Sequence, residues 1–433
     1  MAESARLANE AHMDGLSGLA ELAGRLFADI AAMSPDARGV SRPAYSAVES
    51  RVLDYLEEQA RAHGLHCWRD AGANLVIGRS DDLQPEAEAG YFGSHVDSVP
   101  EGGNFDGLAG VVAALLTLIA LEREGVKTRL PLRAWALRGE ESAWYGQAYM
   151  GSLALFGRLD AHSLATRRRD GKDTLGEAMA AIGLPVEDIA SGKPLIDACR
   201  VKFFLEAHIE QGPVLVERGW PVAAVTGIRG NIRHRTIECI GEAGHSGAIP
   251  RWLRRDAVFA VAELITRMDE HWATIQQHGG DLVLTCGILH TDPAHHAMSR
   301  IPGEATFSFE ARSQDPSTLL AIQGLLQSEC QIISRERKVR FEFDTMVRAD
   351  PAELDPDMIA SILDACRALQ LPAETMPSGA GHDAAVFAQA GVRSGMIFIR
   401  NRNGSHNPNE SMEIDDLMMA VAVMRRVAKE LTL

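Results

Sequence analysis

The feature that most constrains this chain is the apolar segment Val111 to Leu121, eleven residues broken only by Thr117 and set between two strand-like runs. It is too short to span a bilayer. It follows the glycine-rich turn at Gly102 and Gly103, and its pattern predicts a helix over Gly107 to Glu124. Short strands are predicted at Asn74 to Gly78, Gly90 to Gly93 and Leu130 to Leu137, with helices at Glu21 to Ala32 and Ala47 to His63. Strands alternating with helices predict an α/β fold, a mainly parallel sheet covered by helices on both faces. In such sheets ligands bind beyond the carboxyl ends of the strands.

That rule directs attention to the residues just past the predicted strands. His95 follows one strand, and the pair Glu140–Glu141 follows the next. With Asp106, His208 and His406 these residues supply three imidazoles and, in Asp106 and Glu141, two carboxylates, a donor set able to hold two divalent metal ions close together. In GSHVDSVPEGGNFDG, Asp97 lies two residues beyond His95 and is placed to bond the second imidazole nitrogen and fix the tautomer. Asp106 heads the apolar helix, where its carboxylate could bridge two metals or merely cap the helix. Neighbouring side chains of extended backbone point opposite ways, so one glutamate of the Glu140–Glu141 pair can ligate while the other meets a water. A solvated pair opening the next helix is the plainer alternative. FFLEAHIEQGPVLVERG places His208 and Gln211 after another apolar strand, and HNPNES places His406 in a polar loop. In PSGAGHDA, Gly379 and Gly381 precede His382 and allow backbone amides to approach a substrate anion.

Beyond about Gly219 the pattern changes to strands at Ile237 to Ile240, Leu282 to Ile288 and Ala305 to Ala311 around helices at Ala257 to Met268 and Pro316 to Ser334. This reads as a smaller α/β sandwich, residues 219–334, inserted into a larger domain formed by 1–218 and 335–433. Within it, His245 sits among small residues in GEAGHSGAIP, and Arg312 ends a strand, where its guanidinium could grip a substrate carboxylate with two parallel bonds.

Composition narrows the partners. A net charge of −16 argues against a nucleic-acid or anionic-membrane partner, but leaves small anionic substrates open. The six cysteines form no CxxC pair, which disfavours a thiolate metal site and fits a reducing compartment. The amino-terminal stretch has neither a basic nor an apolar leader region, so a cytoplasmic location is expected.

Together the segments GSHVDSVPEGGNFDG, HIEQGPVL, VTGIRG, GHSGAIP with RRDA, and MPSGAGHDA with SHNPNES resemble the metal-dependent amidohydrolases of the M20 peptidase clan. The similarity is to the branch of N-carbamoyl-L-amino acid hydrolases, allantoate amidohydrolases and β-ureidopropionases, and runs from about Leu16 to the carboxyl terminus. HIEQGPVL and PSGAGHDA are its specific parts, because general M20 aminopeptidases lack them. The resemblance implies a zinc-exopeptidase-like catalytic domain with an inserted lid and dimerisation domain. It implies a bimetallic site bridged by Asp106, one metal on His95 and His208, the other on Glu141 and His406. Zinc is the first expectation, and manganese, cobalt or nickel would also suit these donors. Glu140 would be the general base and His245, contributed by a partner subunit, would help stabilise the oxyanion. Gln211 and Gly381, with His382 beside it, would bind the substrate, and Arg312 would clamp its carboxylate. A homodimer through the inserted domain is therefore expected, acting on a small amide or ureide that carries a carboxylate.

Three departures from the family pattern bear on the substrate. The Glu-Glu pair continues as Ser142, Ala143, Trp144 and Tyr145 rather than Gly-x-Arg-Phe. Ser299 stands where an asparagine normally assists Arg312, and Ile249, Arg251 and Trp252 replace a Thr-Pro-Met-like stretch. The extra aromatics Trp144 and Trp252 suggest a bulkier acyl or side-chain group, with packing of Trp144 in the core the equal alternative. The leading expectation is cleavage of an N-carbamoyl or N-acyl L-amino acid. Allantoate hydrolysis is the alternative within the same chemistry, with an aminopeptidase or a non-catalytic metabolite-binding homologue behind it.

Overall fold

The computed structural model describes residues 16–432; the amino-terminal stretch that bears on a leader peptide lies outside the described residues. The chain divides into a larger unit, running to Thr226 and again from Glu353, and a smaller unit, Gly227–Ala352. These limits differ from 219 and 334, and strand pairing is the reason. Strand Val222–Ile228 pairs antiparallel with Ser394–Ile399, placing Ala224 opposite Ile397 in the larger sheet. Strands Arg340–Phe343 and Val347–Ala349 both pair with Gly230–Ile240, which carries the smaller unit past 334.

The larger unit is built on a nine-stranded mixed sheet. Its centre is parallel, in the order Leu132–Leu137, Ala89–His95, Val201–Ile209, Ser394–Ile399. Antiparallel strands flank it on both sides, Leu75–Gly78 beside Leu132–Leu137 and Val222–Ile228 beside Ser394–Ile399. Helix Leu108–Arg123 crosses one face, and every residue from Leu108 to Leu121 is buried. Thr117 is tolerated there because its hydroxyl donates to the carbonyl of Ala113 at 2.8 Å. Burying each of the leucines and valines of this helix stabilises the unit by roughly 1.5–3 kcal/mol before entropy is counted. The carboxy-terminal helix Ile414–Thr432 shares that core. On the opposite face Phe387 stacks on Phe204 with centroids 4.0 Å apart, seating helix Asp383–Gln389 on the sheet.

The smaller unit is a six-stranded antiparallel sheet backed by helices Ala257–Gln277 and Pro316–Arg337. Ile237, Leu264, Phe307 and Leu326 lie in the core between them. The expected single strand Leu282 to Ile288 is instead split into Val283–Thr285 and Leu289–His290. Among the described residues no helix is long and apolar enough to cross a membrane.

Candidate metal centre

Parallel strands deliver their carboxyl ends to one edge, and that edge collects the candidate ligands. His95 is the last residue of its strand, His208 lies one residue from the end of Val201–Ile209, and Glu140 and Glu141 follow Leu132–Leu137. Two triads meet there, each with its ligand atoms within 4.8 Å of one another: His95, Asp106 and His208, and Asp106, Glu141 and His406.

Asp106 belongs to both triads and faces them with different oxygens. Its Oδ1 lies 3.5 Å from His95 Nε2 and 3.1 Å from His208 Nε2. Its Oδ2 lies 3.4 Å from His406 Nε2, which is also 3.4 Å from Glu141 Oε1. The helix-capping alternative for Asp106 is thus not what its carboxylate does. Gly107 occupies the first turn in its place, at φ 65°, and a Cβ there would lie 2.4 Å from the His95 ring. Only glycine lets the backbone turn so close behind that imidazole.

The tautomers of the two buried histidines follow from their neighbours. His208 Nδ1 lies 2.8 Å from the carbonyl of Ile209, and His95 Nδ1 lies 3.1 Å from the carbonyl of Asp97. A carbonyl only accepts, so each Nδ1 carries a proton, and Nε2 is the ring nitrogen left facing Asp106 and open to a metal ion. The Asp97 carboxylate lies 3.3 Å from His95 Nδ1 and also accepts the backbone N–H groups of Glu140 and Glu141, each at 3.0 Å. One buried side chain therefore aligns a histidine and both glutamates.

Electrostatics point the same way. Burial raises the Glu141 carboxyl and raises Glu140 well above the usual range. Burial would also raise Asp106, but the imidazoles of His208, His406 and His95 hold it well below its ordinary value. Asp106, then Glu141, lift His406 to about 11. The cluster is a concentration of negative charge in search of cations. Glu141 Oε1 is buried and makes no close hydrogen bond among the described residues, His406 Nε2 standing 3.4 Å away. Nitrogen and oxygen donors with an orphaned carboxylate oxygen fit divalent metal ions of the zinc or manganese kind.

The remaining expected residues fall in several settings. Gln211, at φ 64°, donates from Nε2 to Asp106 Oδ2 at 2.7 Å, so it contacts the shared carboxylate itself. His382 is buried behind the site, with its ring 4.4 Å from that of His208 and Nε2 2.9 Å from Ser378 Oγ. Gly381 precedes it in the turn before helix Asp383–Gln389. In the smaller unit, His245 is exposed and its Nδ1 accepts from the Gly247 N–H at 3.2 Å. Ser299 is exposed beside it, its carbonyl accepting from the Ser246 N–H at 2.8 Å. Arg312 pairs with Glu310 at 3.1 Å.

Trp144 takes the core alternative. It is buried among Tyr45, Tyr145 and Met150 and donates to the carbonyl of Ser98 at 2.7 Å. Its indole N–H satisfies a buried carbonyl, so its role is packing. Trp252 is 72% exposed on the smaller unit.

Three charged residues went unmarked in the sequence. Glu410 accepts the backbone N–H groups of Phe105 and Asp106 at 2.8 and 3.1 Å, holding the loop that carries the shared carboxylate. Glu206 accepts from Ser94 Oγ at 2.7 Å and from the Ala384 N–H at 2.8 Å. Arg42 is fully buried and donates to the Val96 carbonyl at 2.7 Å and to Asn104 at 2.8 Å, its charge countering Asp97, Glu410, Asp106 and Glu141. A charged residue inside a sequence otherwise ready for burial was the available signal, since such groups are rarely buried unpaired.

A carboxylate shared between two histidine-bearing triads at the carboxyl edge of a parallel sheet marks a metal-dependent hydrolase. Residues 91–430 match the model of Peptidase family M20/M25/M40, and the chain belongs to that family. It is 34% identical to an N-carbamoyl-L-amino acid amidohydrolase of Geobacillus stearothermophilus over 89% of this chain and 92% of that protein. It is 30% identical to an allantoate amidohydrolase of Escherichia coli, over 90% of this chain and 92% of that one. The crystal structure of a hydantoinase/carbamoylase family amidase from Burkholderia ambifaria superposes with a TM-score of 0.83 at 29% identity, covering 96% of this chain and 97% of that one. With these relatives it is a hydrolase of C–N bonds, and the expected branch of the family is the one its relatives occupy.

Proposed function

We propose that the protein is a di-metal amidohydrolase that cleaves the amide or ureido C–N bond of an N-carbamoyl or N-acyl L-amino acid. The observation that carries this reading is the division of Asp106, Oδ1 toward His95 and His208 and Oδ2 toward His406. One ion would be held by His95 and His208, the other by Glu141 and His406, with Asp106 between them. Divalent ions so held supply Lewis acidity toward a carbonyl and make a nearby water acidic at neutral pH.

Glu140 is the base. Its Oε2 lies 3.9 Å from His95 Nε2, beside the triads without belonging to either. It takes a proton from the attacking water as the new C–O bond forms, then delivers that proton to the nitrogen as the C–N bond breaks. Asp97 positions it through the backbone, and burial keeps bulk water from competing for the proton. Gln211 and the Gly381 turn lie at the substrate side of this reading. Arg312 is the carboxylate clamp, and His245 of the partner subunit in a homodimer assists the oxyanion. The support for N-carbamoyl substrates is the naming of relatives for them, at 34% and 29% identity.

The test is a panel of N-carbamoyl, N-formyl and N-acyl L-amino acids with allantoate, assayed for released amine and ammonia on protein loaded with zinc, manganese, cobalt or nickel. Turnover of the carbamoyl compounds is expected, falling about 10²–10⁴-fold in Glu140→Gln with metal content unchanged. Turnover of allantoate alone, or of acyl compounds alone, would replace the carbamoyl assignment with that substrate. Full activity in Glu140→Gln would overturn the mechanism.

A further inference from the structure

The two oxygens of Asp106 have different company. Oδ1 faces the buried imidazoles of His95 and His208. Oδ2 faces the more exposed His406 and accepts two hydrogen bonds, from Gln211 Nε2 at 2.7 Å and from the Ser405 hydroxyl. An ion between Glu141 and His406 therefore competes with those donors for Oδ2.

The Ser405 hydroxyl has a second place to go. Its Oγ lies 2.5 Å from Asp106 Oδ2 and 2.5 Å from Glu410 Oε2. A hydroxyl carries one proton, so it donates to one of the two carboxylates at a time. Rotation about the Cβ–Oγ bond exchanges the two arrangements and moves only that proton. Both partners are held in place for the exchange. Glu410 is buried, and its other oxygen, Oε1, accepts the N–H groups of Phe105 and Asp106. A Cβ on Gly103 would lie 2.2 Å from the Glu410 carboxyl carbon, so the bare glycine of that turn is what admits the carboxylate. The loop of Ser405 keeps its own shape. Asn407 Nδ2 donates to the carbonyls of Asn403 and Ser405 at 2.8 and 3.1 Å, and Asn401 Nδ2 donates to that of Gly404 at 2.7 Å.

We propose that Ser405 and Glu410 are positioning residues that set how readily the Glu141–His406 position takes its ion. The Ser405 hydroxyl donates to Asp106 Oδ2 before that position is filled, and turns to Glu410 Oε2 when an ion claims the oxygen. The bond lost at Asp106 is replaced at Glu410, so Ser405 keeps a carboxylate partner in both states. This rests on the reading of the centre as one for two ions.

The test titrates zinc calorimetrically into the metal-free full-length chain and compares both dissociation constants among variants. The ion missing in His406→Ala identifies the position concerned. Glu410→Gln retains an oxygen for the Phe105 and Asp106 N–H groups but turns an amide NH2 toward Ser405, leaving the hydroxyl only Asp106 as acceptor. The Glu141–His406 ion is expected to bind about 10- to 100-fold more weakly in that variant, and the other ion within a few-fold of the parent. Adding Ser405→Ala to Glu410→Gln removes the competing donor and should recover most of the loss. A Glu410 that merely supports the loop would give a loss that the added alanine leaves in place or deepens. Persistence of the loss in the double variant, an equal loss at both ions, or no loss in Glu410→Gln would each overturn the proposal. Glu410→Asp keeps the charge and withdraws the carboxylate by one methylene, and should show the same weakening and recovery if the glutamine variant misfolds. A parent chain that binds a single ion would overturn the two-ion reading and this inference with it. Two ions without the recovery would overturn this inference alone. Recovery in a protein that turns over no amide or ureide would sustain it while the catalytic reading fails.

Discussion

Asp97 is the residue on which the centre's geometry turns, although it is assigned to neither metal triad. It meets His95 Nδ1 with one oxygen and the N–H groups of Glu140 and Glu141 with both, from a fully buried position. Asp97→Asn replaces one accepting oxygen with an amide that opposes a backbone N–H, and removes the charge beside His95. Metal affinity is expected to fall about 10–100-fold, as measured by competition with a chelator of known strength. Retention of wild-type affinity would mean that the strand ends hold the ligands without it. Gly107 shows the same economy at the opposite side of His95, where the lack of a side chain is what the imidazole needs.

At the scale of elements, the turn that carries Glu140 is anchored by a helix far away in sequence. Glu49, near the start of helix Ala47–Ala62, accepts from the Gly139 N–H at 3.2 Å and the Tyr45 N–H at 2.8 Å, and pairs with Arg138. Burial, only partly offset by Arg138, pushes its carboxyl up to about 7 from an ordinary 4.5. The folded state thus binds the Glu49 proton more tightly than the unfolded chain does. The stability this contributes is complete below about pH 4.5 and is lost as pH rises through 7, up to roughly 3 kcal/mol in all. Glu49→Gln should flatten the decline of the urea midpoint between those pH values in metal-free protein. An unchanged slope would assign the decline to other buried acids, such as Asp383 and Glu410, each also raised to about 7 by burial.

For the whole molecule, the balance of buried charge would make a bound metal part of the fold. Asp97, Asp106, Glu140, Glu141, Glu206, Asp383 and Glu410 are all buried in the larger unit, with Arg42 the buried guanidinium that counters several of them. Like charges at such density destabilise unless cations or protons intervene. Chelation should lower the melting temperature, and zinc or manganese should restore it, by about 4 kcal/mol at a thousandfold excess over Kd. A melting temperature indifferent to chelator and metal would mean that protons alone satisfy the cluster. The same titration ranks the metals by stabilisation, a choice that the nitrogen and oxygen donors leave open.

What the sequence determined by itself was local: where strands and helices lie, and which residues leave strand ends. Apolar runs and their spacing record burial directly, so helix Leu108–Arg123 and the strand ends at His95, His208 and Glu140 were legible within a few residues. The five candidate ligands were legible because metal-binding side chains are few in kind and stand in recognisable segments. The tertiary structure alone decided what surrounds them. Glu410 meets Phe105 across 305 residues, Glu206 meets Ser94 across 112, and Tyr149 meets Gly381 only because two loops reach the same sheet edge. Nothing in the hydropathy of Trp144 separates a core indole from a pocket wall, and nothing in that of 335–352 assigns its strands to one sheet or another. Hydropathy is a property of single residues, whereas partner, register and orientation belong to pairs that meet only when the chain has folded.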